Sequence, residues 1–142
     1  MSNTEWESAK AAARAAKDNC SRLLEEFRVA AARTIGIERE LANAQGALEQ
    51  HQVKRSMLEY PTAEETTRFE SEATQLNNNM TAVAARRREA VGDRERLRLA
   101  VIRADVHFAQ LARAEQNLRP ENQERVALLR LAMGNYRVLA RR

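Results

Sequence analysis

The sequence predicts an all-α fold: a long antiparallel two-helix coiled-coil hairpin with a shorter helix at its C-terminal end. Three observations carry that prediction. Apolar and small residues recur at alternating steps of three and four through two stretches of nearly equal length. Between the stretches stands one turn signal, Glu59-Tyr60-Pro61-Thr62-Ala63-Glu64-Glu65. The composition is rich in alanine, glutamate, leucine and arginine, with 31% charged and only 4% aromatic residues, which suits a narrow helical seam better than a broad core.

The first helix is expected over about residues 4–59. Ser2 with Glu5, or Thr4 with Glu7, offers a capping box at its start. One series then runs without a slip: Trp6, Ala9, Ala13, Ala16, Cys20, Leu23, Phe27, Ala30, Thr34, Ile37, Leu41, Ala44, Leu48, His51, Arg55 and Leu58. A seven-residue repeat of this kind keeps one seam facing a partner helix and implies a left-handed supercoil. Alanine at many seam positions lets two backbones approach closely. Gly36 and Gly46 fall on outward positions and weaken the helix by about 1 kcal/mol each without opening the seam.

Pro61 removes a backbone donor and biases Tyr60 away from helix, so a turn is expected at about 60–62. Thr62 can cap a second helix over about 63–118, with Glu65 placed to close a capping box. Its series is Thr66, Phe69, Ala73, Leu76, Met80, Val83, Arg87, Ala90, Arg94, Leu97, Val101, Ala104, Phe108, Leu111, Glu115 and Leu118. Folding the chain so that paired residue numbers total 124 sets small residues against large ones: Ala16 with Phe108, Ala44 with Met80, Leu41 with Val83, Trp6 with Leu118. Arg87 and Arg94 break the apolar rule. The expectation is that each lays its stem along the seam and carries its head out to water or to a neighbour such as Glu38.

Residues 1–119 thus read as one helical hairpin and residues 120–142 as a C-terminal helix for docking or oligomerisation. Pro120 ends the second helix and suits the first turn of a third, with Glu121 and Glu124 at the positive end of its dipole and Arg137, Arg141 and Arg142 at the other. Leu128, Leu129, Leu131, Met133, Tyr136 and Leu139 leave almost no polar side on this helix. On the hairpin itself, Leu99, Ile102 and Val106 form a short apolar stripe away from the seam. Tail and stripe are the candidate partner-binding residues, either covering each other or taking a partner.

The chemistry-bearing residues do not cluster. His51 and His107 are too far apart in the predicted pairing to share a metal, and Cys20 reads as a small seam hydrophobe. No glycine-rich phosphate loop, nucleophile elbow or paired catalytic carboxylates is present, so no catalytic, cofactor-binding or metal-binding residues are assigned and an enzyme is not expected. Prefoldins and type III export stalk proteins are similar in shape to such a hairpin, but no motif here ties the chain to either.

Net charge is +4, with 21 of the 24 basic residues arginine. Arg86, Arg87 and Arg88 form a candidate polyanion-binding cluster, although consecutive arginines on a helix point in different directions. No apolar run is long enough for a membrane span or a signal peptide core, and a lone cysteine fits an intracellular, cytoplasmic location. The expected function is that of a non-catalytic coiled-coil subunit or adaptor, a spacer or scaffold acting through protein subunits or self-association, with no small-molecule substrate. The alternative is a basic helical scaffold for nucleic acid or an acidic filament.

Overall fold

A computed structural model describes the backbone from residue 2 to residue 140 and the side chains from 3 to 134. It contains three helices in order: α1 (Ser2–Ser56), α2 (Ala63–Leu118) and α3 (Pro120–Ala140). The two long helices pack along each other as a hairpin. The expected seam is the one that forms. Each buried residue among those described belongs to one of the two predicted series: Ala13, Ala16, Thr34, Ile37, Ala44 and His51 from α1, and Val83, Ala90, Ala104 and Glu115 from α2. The remaining seam positions are half-buried, except Arg55 and Arg87.

Two boundaries differ from expectation. The first helix already includes Ser2, so Ser2 and Thr4, the expected capping residues, both lie inside it. At its other end α1 stops at Ser56, three residues before the expected 59. There the Met57 amide donates to both the Val53 and Lys54 carbonyls (3.2 and 3.3 Å) and the Leu58 amide to that of Arg55 (3.2 Å). Bonds of shortened span use up the last free carbonyls and tighten the end of the helix. The turn therefore spans 57–62. Tyr60, 96% exposed, takes a left-handed backbone with φ 54°, a conformation that costs a side-chain-bearing residue on the order of 1 kcal/mol. The proline after it explains why the right-handed alternative is disfavoured.

Thr62 caps α2 as its position predicts. Its Oγ1 accepts the Glu65 amide (3.1 Å), while its carbonyl takes the Thr66 amide (2.9 Å).

The chain divides into two compact units, residues 25–98 and the residues up to 24 together with those from 99 onward. In the first, Ile37, Val83 and Ala90 form the core with Leu41 packed against it. Thr34 is fully buried there, donating to the Ala30 carbonyl one turn back (2.9 Å) and, more weakly, to the Ala90 carbonyl across the seam (3.5 Å). A side chain this short reaches the opposite backbone only because both helices carry small residues at that layer. In the second unit Ala13, Ala16 and Ala104 are buried around half-buried Phe108 and Leu111.

Candidate interaction surface

Ionic partners decide what the arginine cluster can do. Arg86 donates to Glu40 (2.7 Å) and Arg87 to Glu38 (3.4 Å), both across to α1. From α1, Arg55 forms an ion pair with Glu70 (3.6 Å) and Arg33 with Asp93 (4.0 Å) on α2. Arg87, exposed although it stands on a seam position, carries its head onto a glutamate as the sequence suggests, while Arg94 stays half-buried. Arg88 is exposed and makes no ion pair among the described residues. Two of the three candidate polyanion-binding residues therefore already have a carboxylate partner on the other helix.

His51 is buried in the same unit. Its Nε2 lies 3.2 Å from a Glu72 carboxylate oxygen, and its ring meets Phe69 at 5.1 Å, tilted by 46°. Nδ1 is buried without a partner. Among the described residues no three His, Cys, Asp or Glu side chains come together, and Cys20 is a half-buried thiol.

A polar network that sequence reasoning missed lies in the other unit. Glu115 occupies a seam position, and its carboxylate accepts the Trp6 indole N–H (3.1 Å) and two hydrogen bonds from Arg119 (2.9 and 3.2 Å). The Arg119 guanidinium first, and the indole second, hold the Glu115 carboxyl below the ordinary glutamate range. Trp6 was expected opposite Leu118; its hydrogen bond goes one turn earlier because a part-buried indole N–H needs an acceptor and Glu115 is the acceptor in reach. The signal was legible: a carboxylate on a seam position, with an arginine four residues on and the sole tryptophan near the opposite layer. Lys10 sits over the Trp6 ring at 5.0 Å and, with Ala13, Arg14, Lys17 and Phe108, borders a shallow groove beside this network.

Arg119 is also the whole joint between α2 and α3. Its carbonyl accepts the Asn122 and Gln123 amides (both 3.0 Å), which starts α3 immediately. The side-chain amides of the same two residues turn back, Asn122 onto the Gln116 carbonyl and Gln123 onto that of Asn117 (2.7 Å). Pro120 lacks an N–H and so adds no orphan donor at the start of α3.

Beyond this joint the described apolar side chains of α3 are uncovered. Leu128 is 64% exposed, Leu129 63%, Leu131 65% and Met133 57%. The Leu99, Ile102 and Val106 stripe on α2 is exposed as well. Tail and stripe therefore do not cover each other. Tyr136 and Leu139 lie in helical backbone whose side chains fall outside the described residues. At 100° per residue, Val126, Leu129 and Met133 fall on one side of α3 and Ala127, Leu128, Leu131 and Ala132 on the other, with Arg130 between. A helix apolar on two sides belongs in a protein interior.

No described helix is long and apolar enough to cross a membrane. Comparison of the chain with protein-family models, with curated proteins and with solved structures finds no match.

Proposed function

We propose that this chain is a non-catalytic structural or adaptor subunit of a larger intracellular protein assembly, in which a helical hairpin carries a docking helix, α3. The observation behind this reading is the run Leu128, Leu129, Leu131 and Met133, all more than half exposed on a helix with no partner among the described residues. Exposed apolar surface of that density is a liability unless another surface covers it. The Leu99, Ile102 and Val106 stripe supplies a second, smaller contact. The hairpin contributes rigidity, and its charged outer faces keep it from unspecific association.

The test uses two baits, the full chain and a chain ending at Arg119, each measured by light scattering and by capture of partners from its native extract. Association present with the full chain and lost with the shorter one supports the reading. Equal behaviour of the two baits rejects it. For the polyanion alternative, binding to nucleic acid should fall steeply with salt and with Arg88→Gln; the Arg86–Glu40 and Arg87–Glu38 pairs argue against it.

A further inference from the structure

Resting on the reading of α3 as a docking helix, we propose that its occupant is a second copy of α3, packed antiparallel. Charge polarity selects that occupant. Glu121 and Glu124 stand at the start of the helix beside one arginine, Arg125, whereas the sequence of its far end carries Arg137, followed by Arg141 and Arg142, and no acid. A parallel pair would set acids beside acids and arginines beside arginines. An antiparallel pair sets each acidic end beside a basic one and opposes the two helix dipoles. No acceptor at the joint competes for the incoming arginines, because Glu115 already receives Arg119 and Trp6.

The apolar pattern has the same reversal symmetry. A two-fold axis between positions 130 and 131 brings Leu129 of each copy against Ala132 of the other, large against small, as the hairpin seam does. The same axis sets Glu124 level with Arg137 and Arg125 level with Tyr136. Val126 and Met133 line one margin of this contact and Leu128 the other, while Leu131 points away from it. Neither the hairpin stripe nor a groove of the same chain offers this complementarity, since the stripe of Leu99, Ile102 and Val106 has no charge polarity of its own.

The experiment combines sedimentation with spin-label distances on the full chain carrying Cys20→Ala. A single label is placed at Arg130→Cys in one sample and at Glu124→Cys in another. The expected result is a dimer in which the 124 labels lie clearly farther apart than the 130 labels, because the two Glu124 positions are offset along the axis by about 20 Å at 1.5 Å of rise per residue and the two Arg130 positions by about 1.5 Å. Equal short distances at both positions would mean a parallel pair and overturn the proposal. Glu121→Arg with Glu124→Arg should weaken dimerisation by about tenfold, and adding Arg137→Glu with Arg141→Glu should restore it. Unchanged affinity in the first variant would also overturn it. Leu129→Asp should give a monomer with unchanged helicity in the hairpin.

The fate of a monomeric wild-type chain separates the two readings. If its α3 amides exchange freely with solvent, the second copy is excluded as occupant while docking by α3 stands. If they are protected in a monomer, α3 is covered by its own chain, and both readings fail.

Discussion

The unit of residues 25–98 and the unit that includes α3 obey the same heptad rule with opposite outcomes. In the first, the seam is closed from both sides. Ile37, Val83 and Ala90 bury each other, and Arg33, Arg55, Arg86 and Arg87 reach across to Asp93, Glu70, Glu40 and Glu38. Its exposed apolar residues, such as Val29, Ile35 and Val53, stand singly on outward positions. In the second unit the exposed apolar residues come in runs, on the α2 stripe and over residues 126–133 of α3, and a polar link across the helices is the Trp6–Glu115 hydrogen bond. The difference teaches that periodicity specifies a seam but not its partner. Where α1 supplies the opposite layer the seam is complete, and where the chain runs on past α1 it is left open.

The comparison breaks most easily at its core. Ile37→Ala should cost about 2–4 kcal/mol in urea unfolding, whereas Leu131→Ala in the isolated monomer should cost less than about 0.5 kcal/mol. Equal losses would mean that α3 is packed after all. A smaller effect with the opposite sign is expected at Gly46, where an added Cβ would meet nothing within 4 Å. Gly46→Ala should therefore raise stability by about 0.5–1 kcal/mol, read from the same unfolding curves.

Acid titration separates the units by charge. Because the folded Glu115 carboxyl lies below the usual glutamate value, its contribution is complete above the unfolded value and is lost as pH falls through the folded one. Thermal melts between about pH 2 and pH 5 should show this loss, and Glu115→Gln should remove its share of it. The smallest effect belongs to the exposed pairs. A double-mutant cycle on Arg86 and Glu40, both half exposed, should return a coupling of at most about 0.5 kcal/mol, declining with salt.

The hairpin was legible in the sequence because its signals agree at every level. The two seam series, the pairing of Thr34 with Ala90 and of Leu41 with the Val83 layer, the Thr62 cap and the departure of Arg87 toward Glu38 each follow from local spacing, and each is seen. The α1 end was misplaced because Leu58 keeps the heptad phase after the helix has stopped; periodicity survives a turn that hydrogen bonding does not. Glu115 was overlooked because a charged seam residue becomes tolerable only with partners, and those partners, Trp6 and Arg119, come from another helix and from the joint. In α3 the pattern displays what must be covered, while the covering surface belongs to whatever it meets.

The one-residue joint at Arg119 works as a gear. With Asn122 and Gln123 tied back to the Gln116 and Asn117 carbonyls, the azimuth at which α3 leaves is inherited from α2 rather than chosen by a loose tether. Inserting one alanine after Arg119 would turn the docking helix by about 100°, and inserting four would bring it nearly round again. Docking measured over insertions of one to four residues should then rise and fall with the helical pitch.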